Sequence, residues 1–267
     1  MPNKIAFCFL IYDSIIHEDL WELFFKNSDE NKFNIYIHSK FNKPLKYFEK
    51  YKLDNCIKTK YDDQTIPLAY NVLFRKAYEN DADNYKFIIV SGACIPLKSF
   101  NYVYDKLTNS NTGHFNISPQ SQCFPNCNHL TTFIKHEQIF KSHNWFILNR
   151  TLVKNLCFDK DAILNKYYKN VYAPAEYYYY TYIKLLHLKD EIITTPNLTI
   201  NATTFTNWND LDYKYTDGDG LKNYSSIEKE ELLYLIDSKS LFGRKFNKEC
   251  NATLRIKEYI ECITSIV

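Results

Sequence analysis

A chain of 267 residues and 31.8 kDa can bury a large core, and 45% hydrophobic and 17% aromatic content supplies one. Its 5 Gly and 8 Pro are unclustered, which excludes long linkers, repeats and low-complexity tails. With 33 basic and 31 acidic residues the formal charge is +2, without the basic excess of a dedicated nucleic-acid binder.

The opening MPNKIAFCFLIYDSIIHEDL holds an apolar run from Ile5 to Tyr12, with one lysine before it and no small-residue cleavage site. The run is too short for a membrane helix and unlike a signal peptide, so it reads as a strand buried on both faces. His17–Lys26 follows with Leu20, Leu23 and Phe24 at helical spacing, and Phe33–His38 is a second strand. Leu68–Glu79 is a second helix, and Phe87–Val90 is a third buried strand ended by Ser91-Gly92. Ile95-Pro96-Leu97 reads as a turn before the short helix Phe100–Leu107. Strands alternating with helices predict an α/β fold, a mostly parallel central sheet with helices on both faces.

The second half is less regular. Trp145–Leu148 reads as a strand leading into a helix at Arg150–Cys157. Pro174–Leu188 is a long helix whose Pro-Ala-Glu opening suits a first turn. A strand (Glu191–Thr195), a turn-rich segment (Asn207–Asn223) and helices at Ser226–Asp237 and Ala252–Ile263 complete the chain. No break in composition marks a second domain, so residues 1–267 are expected to form one. No stretch reaches membrane-spanning length and no export signal is visible. The expectation is a soluble cytoplasmic enzyme of bacterial or viral type, with its 8 cysteines reduced.

In open α/β sheets, ligands sit beyond the carboxyl ends of the strands. That points to Tyr12-Asp13, His38-Ser39-Lys40 and Ser91-Gly92-Ala93-Cys94. No GxGxxG or GxxxxGK[ST] occurs there, which argues against dinucleotide enzymes and P-loop phosphotransferases. Cys123 and Cys127, with His129 and either His114 or His136, make a weak zinc pattern that reads better as a surface loop. Tyr177–Tyr180 reads as core packing and pocket wall. Asn197, Asn201 and Asn251 head glycosylation sequons that matter only in a secreted protein.

Several segments, in order, resemble the core-2/I-branching β-1,6-N-acetylglucosaminyltransferase family and its xylosyltransferase and plant relatives. They are KIAFCFLIYD, FNIYIHSK, FIIVSGACIPLKSF, WFILNRTLVKNL, PAEYYYYTYIKLL and the ending GLKNYSSIEKEELLYLIDSKSLFGRKF. The resemblance spans about residues 4–260 and rests on the order of pieces that are individually unspecific. It implies a GT-A-like glycosyltransferase fold, inversion at the anomeric carbon and no divalent metal. The third strand, which in metal-dependent GT-A enzymes ends in Asp-x-Asp, here ends in Ser91-Gly92-Ala93-Cys94. The triplets Asp81/Asp83, Asp210/Asp212 and Asp217/Asp219 read as solvated turn acids.

The resemblance makes Glu176 the general base that takes the acceptor hydroxyl's proton, although the same position suits a glutamate that merely favours a helix dipole. The family's adjacent Asp is Ala175 here. Lys222, Arg244 and Lys245 are the cations expected on the departing diphosphate, with Lys222 where many relatives carry Arg. Arg244 could instead pair with an acid or cap the Ser226–Asp237 helix. Ile11, Tyr12, His38 and Ser39 end the first two strands where the nucleotide should lie, and Ser39 stands where relatives often have Asp. Trp208 matches an acceptor-lining tryptophan but would also suit a core; Trp145 reads as a strand residue beneath the site with acceptor potential.

The resulting expectation is an inverting, metal-independent glycosyltransferase with a UDP-sugar as co-substrate, UDP-N-acetylglucosamine first, and a glycan or glycoconjugate acceptor. No nucleic acid and no other cofactor is expected. A catalytically weak glycan-binding or scaffolding protein on the same fold is the alternative, kept open by Ala175 and Ser39. A zinc or nucleic-acid module on Cys123/Cys127 comes third.

Overall fold

The computed structural model describes residues 3–26, 28–123, 127–196, 200–208, 213–215, 220–251 and 256. The helix expected at Ala252–Ile263 falls outside them apart from Ile256, as do the acids of Asp210/Asp212 and Asp217/Asp219.

The first strand, β1 (Lys4–Ile11), is central because both of its faces are apolar. It pairs in parallel with β2 (Phe33–Ser39) on one side and β3 (Asn84–Ser91) on the other. These are the three strands expected to be parallel. Beyond β3 come β6 (Ile147–Asn149), β5 (Gly113–Ile117) and β7 (Ile192–Pro196), giving a six-stranded sheet in the order β2-β1-β3-β6-β5-β7. β6 runs antiparallel to both neighbours, and β5 pairs with β7 in parallel.

Alternate side chains of β1 feed two cores. Ile5, Phe7, Phe9 and Ile11 meet α1 (Glu18–Lys26) and α3 (Phe100–Thr108), where Trp21, Phe24, Phe25 and Phe100 pack. Phe9 and Trp21 lie edge-on at 5.0 Å, and the indole N–H of Trp21 donates to the Cys94 carbonyl at 2.9 Å. Ala6 and Cys8 face α2 (Thr65–Asn80), α4 (Arg150–Cys157) and α6 (Ala175–Leu185). Tyr177–Tyr180 are all buried there, so the tyrosine run is core. Full burial of such side chains stabilises by about 1.5–3 kcal/mol each. Helices therefore cover both faces of a mostly parallel sheet, as the apolar runs predicted.

A second, three-stranded sheet has no counterpart in the sequence reading. β4 (Ile95–Pro96), expected to be a turn, pairs antiparallel with β9 (Phe242–Arg244), which pairs in parallel with β8 (Thr204–Thr206). Strands of two or three residues are too short to show alternation. α5 (Asp161–Tyr167) was also unforeseen, and α7 (Lys229–Asp237) starts later than expected. α6 ends at Leu185, before the expected Leu188, with His187 at φ 57° closing it. No helix among the described residues is long and apolar enough to cross a membrane.

Candidate active site

The loops leaving β1 and β2 are laced together: Lys40 N–H donates to Ile11 C=O at 3.1 Å and Phe41 N–H to Tyr12 C=O at 2.9 Å. Gly92, after β3, closes on the same place. Its carbonyl accepts from Ile16 N–H at 2.7 Å, and an added Cβ would stand 2.3 Å from the Ser14 carbonyl oxygen, so only glycine fits. Of the residues expected to line a nucleotide, Tyr12 alone presents an open side chain, 62% exposed and edge-on to Phe41, with the Lys40 ammonium 5.0 Å from its ring. Ile11 and His38 are buried. His38 Nε2 accepts from Ile57 N–H at 2.9 Å, and burial holds its pKa down to about 4. The ring is thus a neutral brace for the following loop, which corrects the expectation that it faces a ligand. Ser39 is likewise committed, its hydroxyl donating to Phe41 C=O at 2.6 Å and its N–H to Cys56 Sγ at 3.3 Å.

Glu176 lies in the first turn of α6, beyond Ala173 at φ 50° and Pro174 at the cap. Its Oε2 lies 3.4 Å from Lys141 Nζ, and its Oε1 accepts from Asn144 Nδ2 at 3.4 Å. Burial raises its pKa; the Lys141 charge opposes that and the Asp62 charge adds to it. A glutamate that merely complemented the helix dipole would favour the ionised form. Enclosure dominates instead, in the direction that suits a proton acceptor.

Asp62 comes from the turn before α2, itself at φ 51°, and its carbonyl accepts from Ala173 N–H at 3.3 Å. A second carboxylate therefore does stand near Glu176, although residue 175 is a buried alanine. Tyr172 and Tyr61, 57% and 84% exposed, border Asp62. Hydrogen bonding to that carboxylate pushes Tyr172 up to about 12.

The cations arrive on the small sheet. Phe246 N–H donates to Ala93 C=O at 3.1 Å and Ile95 pairs with Gly243, which sets Arg244 and Lys245 beside the turn after β3. Arg244 lies over Trp145 at 4.1 Å, and its buried Nε has no hydrogen-bond partner. Among the described residues no acid lies within ion-pair distance of it, and it does not cap α7. Burial lowers the pKa of Arg244 and of Lys245, and the Arg244 charge lowers Lys245 further. The charges of Arg244 and Glu176 act on Tyr61 and Tyr70 with opposite sign, Arg244 lowering and Glu176 raising their pKa values, while burial keeps Tyr70 high.

Lys222 is held differently. Its Nζ lies 4.0 Å from Oε2 of Glu231 and over the Tyr224 ring at 4.9 Å. Glu231 is buried, accepting from the hydroxyls of Tyr213 at 2.9 Å and Tyr224 at 2.7 Å. Trp208 is 42% exposed beyond the end of β8, so it is no core residue. Trp145 spends one face on Arg244.

Sequence reasoning missed Lys141, Asn144, Tyr61, Asp62 and Tyr172. Only the Tyr-Asp-Asp turn before a helix gave any signal, because Asp63 Oδ1 accepts from Thr65 N–H there. Cys123 and Cys127 are buried, and burial pushes the Cys127 thiol up to about 12, against the thiolate a zinc ligand needs. Among the described residues no group of three or more His, Cys, Asp or Glu is placed to hold a metal ion. Asp81, of the first acidic triplet, pairs with Lys4 at 2.8 Å beside the amino end of β3, away from the strand ends that form the site.

The chain is 24% identical over 167 residues to Glycosyltransferase BC10 of Oryza sativa subsp. japonica, a match covering 60% of this chain and 42% of that protein. Among solved structures, the crystal structure of A197 from STIV overlaps 63% of this chain and 80% of its own at 8% identity. Its TM-score of 0.29 is too low for any inference. The Core-2/I-Branching enzyme family matches residues 5–235, nearly the whole of the two sheets and the helices between them. The chain belongs to the core-2/I-branching enzyme family, a family of glycosyltransferases.

Proposed function

We propose that this protein is an inverting glycosyltransferase that moves a sugar, N-acetylglucosamine first among the choices, from a UDP-sugar to a hydroxyl of an acceptor glycan without a divalent metal. The observation that carries the reading is an enclosed carboxylate at the start of α6, Glu176, whose two oxygens face Lys141 and Asn144 at 3.4 Å. In a single displacement, the acceptor oxygen attacks the anomeric carbon while its proton passes to Glu176. The bond from that carbon to the diphosphate oxygen breaks with both electrons, leaving negative charge on the departing UDP. Lys245 and Arg244, already short of solvent, would meet that charge, with Lys222 behind them. The residues after β3 supply no carboxylate to hold an ion against the diphosphate. The exposed rings of Tyr61, Tyr172 and Trp208 suit the apolar faces of sugars.

UDP release across a panel of UDP-sugars, with a glycan acceptor and with or without excess EDTA, tests the reading. Acceptor-dependent UDP release that is unchanged by EDTA is expected. Glycan binding without UDP release from any donor would leave the glycan-binding alternative. Loss of transfer in EDTA with recovery on adding manganese would refute metal independence.

A further inference from the structure

Glu176 is not held by its helix alone. Residues 140–144 form a strap across the start of α6, fixed from two sides. Phe140 N–H donates to Thr181 Oγ1 at 3.0 Å, and that hydroxyl donates back to Phe140 C=O at 3.1 Å. Ser142 N–H donates to Glu176 C=O at 2.8 Å. From the β5 side, Ser118 N–H donates to Lys141 C=O at 3.0 Å and His143 N–H to Asn116 C=O at 2.8 Å. A backbone pinned at five points delivers Lys141 and Asn144 to the two carboxylate oxygens, each at 3.4 Å. The lysine and glutamate side chains are 23% and 20% exposed, so solvent screens their interaction only in part.

We propose that Lys141 and Asn144 are positioning residues for Glu176, each holding one oxygen of its carboxylate from a strap fixed to both α6 and the β5 edge. The proposal rests on Glu176 being the base. An enclosed carboxylate tends to keep its proton, and a base must have lost it before the acceptor arrives. Lys141 is the one cation within ion-pair distance of Glu176 among the described residues, and it favours the ionised form. Asp62, from the turn before α2, acts the other way. Among the described residues the other titratable groups that interact with the carboxylate are Tyr61 beside Asp62, Tyr70 of α2 and Tyr172 before α6, and the Arg244 charge acts on Tyr61 and Tyr70 as well. On the strap itself, His143 is engaged with the Asn116 amide at 3.0 Å, on the β5 side. Without Lys141, no cation among the described residues stands within ion-pair distance to oppose burial and Asp62.

Protein labelled with 13C at glutamate carboxyls gives a direct reading of the free enzyme, with the Glu176 resonance assigned by its loss in Glu176→Gln. In Lys141→Met its titration should move to higher pH, and Lys141→Arg should return it close to the unmodified protein. In the UDP-release assay with UDP-N-acetylglucosamine or the best donor of the panel, the acid limb of kcat should move with it. The expected loss is about tenfold on the acid side and less than about twofold on the plateau. An unmoved resonance in Lys141→Met, or an equal loss of rate at every pH, overturns the proposal. Should Lys141→Met fail to melt cooperatively, Lys141→Gln carries the same test, and Asn144→Ala should raise KM less than it lowers kcat. Full transfer by Glu176→Gln would refute the base assignment itself, while the carboxyl titration would still decide whether Lys141 holds Glu176.

Discussion

The core under α1 and the cleft at the start of α6 treat polar groups in opposite ways. Beneath the sheet, Phe7, Phe9, Trp21 and Phe25 are buried among one another, and the indole N–H among them is satisfied at 2.9 Å. The buried Nε of Arg244 on the small sheet has no hydrogen-bond partner, nor, around Glu176, have the buried Oδ1 of Asn144 and Oγ of Ser142. Asp62 and Ala173 hold left-handed backbones there, at φ 51° and 50°, without being glycine. Unmet polarity and backbone strain each cost of order 1–3 kcal/mol, and they persist only where the surrounding fold enforces them. The difference teaches that the first region is closed by packing, whereas the second holds polar groups and left-handed turns that packing alone does not favour.

The largest test of that division is Glu176→Gln. It should lower sugar transfer by roughly a hundredfold to ten-thousandfold while UDP still raises the melting temperature. If more than about a tenth of the transfer rate survived, the cleft would not hold the base.

Trp21→Ala is the mirror experiment. Removing a fully buried indole should cost about 3–5 kcal/mol in denaturant unfolding, with kcat per folded molecule unchanged. A specific loss of turnover in the folded protein would show that core and cleft are coupled.

Lys245→Ala should lower transfer about tenfold to a hundredfold and leave the unfolding midpoint nearly unmoved, because this half-buried cation has little to stabilise without an anion. A loss of stability larger than the loss of turnover would assign it to the fold instead.

The smallest effect is thermal. Burial raises the Glu176 pKa, so the folded protein binds that proton more tightly than the unfolded chain does. Above the raised folded pKa the ionised group therefore costs stability in full, and the cost fades as pH falls from there to the unfolded value near about 4.3, below which it is gone. Glu176→Gln should then melt roughly 1–3 °C higher at neutral pH, with the gain vanishing in acid. A lower melting temperature would mean that the carboxylate supports the fold through Lys141.

How much of this was legible beforehand depended on whether the signal was local. Ile5–Ile11 and Phe87–Val90 are continuous apolar runs, and they became adjacent parallel strands in the centre of the sheet. Glu176 was expected at a helix start and lies in the first turn of α6, while its candidacy as base came from the family resemblance of Pro-Ala-Glu and not from helix-start chemistry. His38 was placed at the right strand end but given the wrong role, because nothing in FNIYIHSK reveals that Ile57 N–H will occupy its ring. β8 and β9 were invisible because three residues carry no periodicity.

The sequence by itself therefore determined the layered α/β architecture, the three parallel strands at its centre and the helix start that carries Glu176. Hydrophobic periodicity and helix-start chemistry act over neighbouring residues, and a linear text preserves them. Only the tertiary structure decided the surroundings of that carboxylate: Asn144 from 32 residues away, Lys141 on the same strap and Asp62 from the turn before α2. Burial and Coulomb interactions depend on distance in space, and the chain writes no record of which charge will come to rest beside which.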